Sequence, residues 1–303
     1  MKRILAIIVL ISICCVVNSQ DPAREAFESA VEYKKNGSYT EALAEYDTVL
    51  KIRPEFVSAL INRANVKGLM HNHKGAIEDY DIAESIDPGE AEIYYNRGNS
   101  KHELKMYYEA IIDFDNAIIL KEHFDYYFAR GNSKKKLTKY DQAIEDYSIA
   151  IKIYPNFDEA YYNRGNAYGK LKNYKKAIKD YSKSIDINPD KLNAYMNRAN
   201  AKINLKDYKG AITDFDYHIS KRPNYALTYS NRGLAYEGLE RNDLALADYS
   251  KVIELDPKNG RAFFSRAGVK RKMEDSKGEC KDLKKSAELG FLRAKSIYDR
   301  VCK

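Results

Sequence analysis

Residues Tyr161–Pro189 read YYNRGNAYGKLKNYKKAIKDYSKSIDINP, and Tyr94–Ile118 read YYNRGNSKHELKMYYEAIIDFDNAI. A segment that returns in this way makes internal repetition the first question, because a missed period misassigns the whole fold. The prolines supply the period. After Pro22 they fall at Pro54, Pro88, Pro155, Pro189, Pro223 and Pro257, at spacings of 34, 67, 34, 34 and 34 residues. The double gap conceals one unit of 33 residues that lacks its proline. The chain therefore divides into eight units, 23–56, 57–90, 91–123, 124–157, 158–191, 192–225, 226–259 and 260–293. A last amphipathic stretch, 294–303, is half of a ninth and is expected to form a C-terminal capping helix.

Within each unit, apolar and small residues recur at helical spacing in two blocks separated by a turn such as LKNY or LTKY. Proline closes the unit because it cannot continue a helix. Counting positions from the first residue of each unit, position 8 is small throughout: Ala30, Ala64, Gly98, Gly131, Gly165, Ala199, Gly233 and Ala267. Position 20 is alanine from Ala42 to Ala245 in the first seven units, and position 24 is aromatic in the same seven. Small residues let two helices approach, and the ring fills the space above them. Glu279 and Leu283 break both rules in the eighth unit, as terminal repeats do. The expected fold is all-α, built of helix-turn-helix repeats.

At these residues the chain resembles the tetratricopeptide repeat (TPR) family, over essentially Ala23–Lys303. The family's aromatic at position 4 stands as Tyr94, Tyr127, Tyr161, Tyr195, Tyr229 and Phe263, while Ala26 and Leu60 replace it early. The resemblance implies a right-handed superhelical solenoid whose first helices line a concave groove. A pentatricopeptide RNA reader would need a 35-residue period; this chain counts 34.

The N-terminus has its own pattern. Lys2 and Arg3 precede an apolar run from Ile4 to Val17, after which the chain turns polar. That is the layout of a secretory signal peptide, 1–19, with cleavage expected after Ser19. The run is shorter than the roughly 20 residues a membrane span needs. An uncleaved anchor, or a lipoprotein acylated on Cys14 or Cys15, are the alternatives; Ile13 before Cys14 disfavours the second. Loss of Lys2 and Arg3 would lower the formal charge from +7 to +5, too mild a balance to suggest nucleic acid. The mature chain would be periplasmic or secreted. It keeps Cys280 and Cys302, an even pair in an oxidising compartment and hence a candidate disulfide.

Position 7 is Arg63, Arg97, Arg130, Arg164, Arg198, Arg232 and Arg266, where the family more often has leucine. Position 23 in the same units is Asp79, Asp113, Asp146, Asp180, Asp214, Asp248 and Asp282. The first unit has neither, carrying Ser29 and Glu45 instead. Residue types that come and go together suggest structural pairs bridging the two helices of a unit, since a guanidinium fork matches a carboxylate bidentately. The rival reading is an arginine stripe for phosphate or acidic partners, which the matching acids would neutralise.

The resemblance implies that positions 2, 5, 6, 9, 12 and 13 face the groove. Position 6 holds Asn62, Asn96, Asn163, Asn197 and Asn231; position 9 holds Asn65, Asn99, Asn132, Asn166 and Asn200. Position 5 adds aromatics, among them Tyr95, Phe128 and Tyr162. Asparagine is a poor interior helix former, so these amides have either a packing or a binding role. A carboxamide donates to and accepts from a peptide group, which suits an extended chain, as in the asparagine ladders of peptide-binding superhelical relatives. Equally, the amides could join neighbouring helices and bind nothing. The lysines and arginine of the chaperone-binding carboxylate clamp are absent, and position 2 is acidic in the middle, with Glu92, Asp125 and Glu159.

No phosphate loop, nucleophile elbow or Cys–His arrangement is found. His71 and His73 lie in a predicted turn without further ligands at metal spacing. The expected function is a non-enzymatic protein-interaction scaffold binding extended peptide or protein segments, with no catalytic residues, metal or cofactor. Two alternatives are an accessory subunit that positions a catalytic or signalling partner, and a cell-envelope carbohydrate binder.

Overall fold

The computed structural model describes residues 21–303; the expected signal segment, with Cys14 and Cys15, lies outside the described residues. All regular structure among the described residues is helical. The helices are α1 (Pro22–Lys35), α2 (Tyr39–Ile52), α3 (Val57–Leu69), α4 (His73–Ile86), α5 (Ala91–Glu103), α6 (Tyr107–Leu120), α7 (Phe124–Lys136), α8 (Tyr140–Ile153) and α9 (Asp158–Lys170). They continue as α10 (Tyr174–Ile187), α11 (Leu192–Asn204), α12 (Tyr208–Lys221), α13 (Ala226–Gly238), α14 (Asn242–Leu255), α15 (Gly260–Lys272), α16 (Ser276–Glu288) and α17 (Leu292–Val301). The chain forms two compact units, the first ending at Leu137 and the second running Thr138–Lys303. Each is a helical-repeat solenoid in which every helix packs on the next in sequence, and first helices also touch in α1–α3, α3–α5, α5–α7, α9–α11 and α11–α13.

Helix starts follow from side-chain acceptors. Asp21, Asn72, Asn173, Asp207, Asn259 and Asp275 each accept from a backbone N–H of the first turn, and Pro22 opens α1 where no donor is needed. The turns inside the pairs close by one device. At the end of α3, Asn72 N–H donates to the Lys67 carbonyl at 2.8 Å and His71 N–H to the Gly68 carbonyl at 2.9 Å. This two-bond cap requires a left-handed residue. Glycine fills that position at Gly37 and Gly290, but His71, Lys105, Lys172, Lys206, Glu240 and Glu274 adopt it at φ of 58° to 63°. The period therefore holds a conformation that side-chain type alone does not advertise.

The core repeats with the helices. Ala42, Ala76, Ala110, Ala143, Ala177, Ala211 and Ala245 have no exposed surface, and the rings at position 24, from Tyr46 to Tyr249, are at most 4% exposed. The small residue at position 8 is a matter of contact: a Cβ on Gly98, Gly165 or Gly233 would come within 2.7, 2.8 and 3.0 Å of the Phe114, Tyr181 and Tyr249 rings. In the eighth pair Leu283 replaces the ring and is 1% exposed, while Glu279 is paired with Arg271 at 2.6 Å.

At the C-terminus α17 folds back on α16, burying Ala294 against Ala267 and Leu283. Cys280 on α16 and Cys302 beside the end of α17 form a disulfide, with Cα atoms 5.6 Å apart and the two residues 22 positions apart in sequence. Closing a loop of that size restricts the unfolded chain by about 3 kcal/mol. Cys302→Ser should therefore speed amide exchange in α17 markedly while leaving α9–α12 unchanged, as read by hydrogen-exchange mass spectrometry. Exchange in α17 that ignores the substitution would show that apolar packing alone holds the cap.

Candidate functional site

The arginines at position 7 lie on the first helices and reach two others. Nε and Nη2 donate side by side to the aspartate 16 residues later, at 2.6 to 3.1 Å, in Arg63–Asp79, Arg97–Asp113, Arg164–Asp180, Arg198–Asp214, Arg232–Asp248 and Arg266–Asp282. These aspartates are 2–4% exposed. The remaining nitrogen, Nη1, donates to a residue 15 or 16 positions earlier, on the second helix of the preceding pair. The acceptor is a carboxylate at 2.6 Å for Asp47, Asp81, Asp115 and Asp216, and a hydroxyl at 2.9 to 3.1 Å for Ser148, Ser182 and Ser250. The guanidinia of Arg97, Arg130, Arg164, Arg198, Arg232 and Arg266 also lie 5.3 to 5.6 Å from a position-4 ring, over Tyr94, Tyr127, Tyr161, Tyr195, Tyr229 and Phe263. Asp146 is buried on α8. Sequence reasoning missed the acceptor at position 25, although the column Asp47, Asp81, Asp115, Ser148, Ser182, Asp216, Ser250 stands in the aligned units.

A lysine at position 11 brings a second cation to four of these carboxylates. Lys67, Lys101, Lys202 and Lys270 place Nζ 2.7 to 2.8 Å from Asp79, Asp113, Asp214 and Asp282. Where the position is Tyr236, no lysine among the described residues pairs with Asp248. Burial opposes ionisation of both Asp248 and Asp282. Arg266 and Lys270 together outweigh it and hold Asp282 below the ordinary aspartate range. Arg232 alone does not, and with Asp216 nearby Asp248 stands above that range.

The groove asparagines are half-buried on their first helices, as are Tyr95, Phe128 and Tyr162. Position 9 serves the core: Asn65 accepts from the Tyr80 hydroxyl, and Asn166 accepts from Tyr181 at 2.9 Å. Where position 9 is Val31, the buried Tyr46 hydroxyl has no partner among the described residues. Position 6 links neighbours: Asn197 Nδ2 donates to Asn166 at 2.9 Å and to the Tyr162 hydroxyl at 3.1 Å, and Asn231 Nδ2 donates to Asn200 at 3.1 Å. In the first unit Asn62 accepts from Lys34 at 2.9 Å, and Asn96 donates to Glu92 at 3.2 Å. The amides thus do packing work, and several donors are already engaged.

The rings at position 5 are walls more than free platforms. Tyr162 packs 6.0 Å from Tyr181, and Tyr95 lies 4.8 Å from Tyr126. Open apolar surface on the first helices comes instead from Leu227 and Leu234, 51% and 50% exposed. They line a cleft of about 210 Å³ between α13 and α15, with Ser230, Asn231, Arg261 and Ser265. No described helix is long and apolar enough to cross a membrane. His71 and His73 rings sit 6.1 Å apart at the α3–α4 turn, and among the described residues no cluster of three metal-ligating side chains occurs.

This combination of stacked helix pairs and small-residue seams defines a helical-repeat protein. Tetratricopeptide-repeat family models match residues 91–123, 131–172, 158–191 and 226–259. Over these segments, which make up less than half of the chain, the sequence resembles the tetratricopeptide repeat. No curated protein matches its sequence. Among solved structures, the C-terminal part of a TPR repeat-containing protein from Cytophaga hutchinsonii is similar with a TM-score of 0.67 at 20% identity, covering 76% of this chain and 95% of that one. PilW, described as a widely conserved type IV pilus biogenesis factor, gives 0.61 at 18% identity over 68% and 96%. MamA gives 0.52 at 25% identity over 57% and 94%. The first two likenesses are of fold.

Two outcomes follow for the ion pairs. Asp180→Ala leaves a mostly buried Arg164 with a hydroxyl partner alone, which should cost about 3–5 kcal/mol, whereas Ser148→Ala should cost about 1 kcal/mol. Arg164→Met with Asp180→Leu should recover most of the first loss in urea titrations. If Asp180→Ala is no worse than Ser148→Ala, the bidentate pair is not what joins α9 to α10.

The carboxylates also differ with pH. A depressed folded-state value, as at Asp282, supplies stability above the unfolded value that is lost as pH falls through the folded one. A raised value, as at Asp248, makes the ionised form a cost that disappears on acidification. At pH 7 Asp282→Asn should therefore destabilise more than Asp248→Asn, and the gap should close as pH falls below about 3.9, the unfolded aspartate value. Hydrogen exchange in α14 and α16 at a series of pH values measures it; a gap that does not change with pH would contradict the assignment.

Proposed function

We propose that the chain is an exported, non-enzymatic scaffold that holds an extended peptide or protein segment along the face of its first helices. The observation that carries this reading is the α13–α15 cleft. Half-exposed Leu227 and Leu234 offer an apolar seat for a ligand side chain. Beside them Asn231 makes one hydrogen bond among the described residues, leaving an acceptor and a donor for a peptide group. Apolar lining with a few convergent polar groups is the ordinary make-up of a binding site.

Export is supported by the N-terminal pattern of Lys2 and Arg3 before Ile4–Val17, and by the Cys280–Cys302 disulfide, a bond that persists in oxidising compartments. The arginines are poor candidates for anion recognition because Arg63, Arg97, Arg164, Arg198, Arg232 and Arg266 each already face acceptors on two helices. Sequencing of the protein from the cell envelope should begin at Gln20.

Covering the exposed halves of two leucines contributes about 2 kcal/mol, more than tenfold in affinity. Leu227→Ser with Leu234→Ser should thus weaken capture of a labelled, permanently unfolded polypeptide at least tenfold in anisotropy titrations, with helicity and Tm unchanged. Undiminished capture by the double variant would rule out this cleft as the seat.

A further inference from the structure

The second unit holds a buried histidine that the repeat itself does not require. His218 lies on α12 with no exposed surface, and its Nδ1 shares a hydrogen bond of 2.9 Å with the hydroxyl of Thr228, equally buried in the first turn of α13. Nε2 is also buried and has no hydrogen-bond partner among the described residues. The Tyr225 ring packs 5.6 Å away. Position 27 of the other repeats holds valine, alanine or serine, from Val49 to Ser286, and threonine occurs at position 3 in this repeat alone. The equivalent contacts are apolar: Val49 with Ala59, Ala83 with Ile93 and Val252 with Ala262 each share one core cluster. At the α12–α13 joint a polar pair therefore stands where packing alone serves elsewhere.

We propose that His218 and Thr228 form a pH-sensitive latch on the α13–α15 cleft. While the imidazole is neutral, the head of α13 is closed onto α12 and Leu227, the residue before Thr228, keeps its place in the cleft; protonation opens the latch and weakens the hold on a polypeptide. The inference rests on the reading that this cleft seats one. In either neutral tautomer the Thr228 hydroxyl meets Nδ1, as acceptor or as donor. An imidazolium carries N–H at both nitrogens, and at Nε2 that is a buried donor with nothing to receive it. The charged groups around it are committed elsewhere. From α11, Arg198 and Lys202 both bond to Asp214, one turn before His218. From α13, the Tyr229 hydroxyl donates to the Pro223 carbonyl, and Arg232 holds Asp216 and Asp248. On α12 itself Lys221 lies over the Tyr217 ring. Burial, and then the charge of Arg222 in the connecting turn, hold the imidazole below the ordinary histidine range. The closed joint is thus at full strength above about pH 6.5, the unfolded histidine value, and loses strength as pH falls below it, because the opened form takes up a proton that the closed form refuses. The Arg232–Asp216 bond, one turn further along α13, does not depend on this proton, so the opening is confined to the head of the helix.

The test compares the full-length mature protein with its His218→Val variant, which takes the residue of the first and seventh repeats, at about pH 7.5 and about pH 5.5, on either side of the unfolded histidine value. Hydrogen exchange in the first turn of α13 is read as the ratio of wild type to variant at each pH, so that intrinsic exchange cancels. That ratio should rise at least about threefold on acidification, within the limit of about tenfold per pH unit that one proton allows. Capture of a labelled, permanently unfolded polypeptide, read by anisotropy, should weaken by a similar factor in the wild type and hold constant in the variant. If His218→Val folds poorly by circular dichroism, His218→Val with Thr228→Ala, which reproduces the Val252–Ala262 contact, takes its place. An exchange ratio that ignores pH overturns the latch and leaves the cleft reading standing. Equal capture by the wild type at both pH values, with the exchange ratio moving, overturns the link between latch and cleft. Capture at neither pH overturns the cleft reading, and the regulatory role with it.

Discussion

The guanidinium at position 7 is the contact on which the rest of the repeat depends. In a pair such as α9–α10, Arg164 forks onto Asp180, rests on Tyr161 and sends its third nitrogen back to Ser148 on the preceding helix. One side chain therefore fixes the register of three helices. Burying such a charge is costly unless it is paired and hydrogen-bonded, and here each of the three guanidinium nitrogens makes a hydrogen bond. The same geometry in Arg198, Arg232 and Arg266 makes the second unit a chain of identical joints, which differ in whether Asp or Ser takes the backward bond.

That satisfaction constrains function. A stripe of arginines would suggest an anion site, but groups already bonded fore and aft have little left to offer a ligand. On the face of the first helices the position-6 and position-9 amides are divided between duties. Asn166 quenches the buried Tyr181 hydroxyl and takes a bond from Asn197. Asn231, at the edge of the α13–α15 cleft, is less committed. The amide ladder is thus a structural girder with open rungs rather than an uninterrupted receptor.

The variation among repeats lies where contacts between identical units do not dictate it. Position 11 is lysine or tyrosine, and Lys270 beside Asp282 against Tyr236 and Asp216 beside Asp248 separates the ionisation of the two. Position 2 shifts from Glu92, Asp125 and Glu159 in the middle repeats to Leu227 and Arg261 in the last two. The core seam of small residue, alanine and ring scarcely changes, because a Cβ at Gly165 has no room beneath Tyr181.

The sequence by itself determined the helices, their pairing and the alignment of Arg164 with Asp180. Helical periodicity fixes the azimuth of every residue on its own helix, and the short turn fixes which helix follows. The left-handed residues at Lys172 or Glu240 were not legible, since nothing in a lysine or glutamate announces a positive φ. Nor was the backward bond from Arg164 to Ser148, the engagement of Asn166 by Tyr181, or the α13–α15 cleft. Each depends on how far apart neighbouring pairs settle and which faces they turn to one another. Spacing along the chain says where a side chain points; only packing decides what stands opposite it.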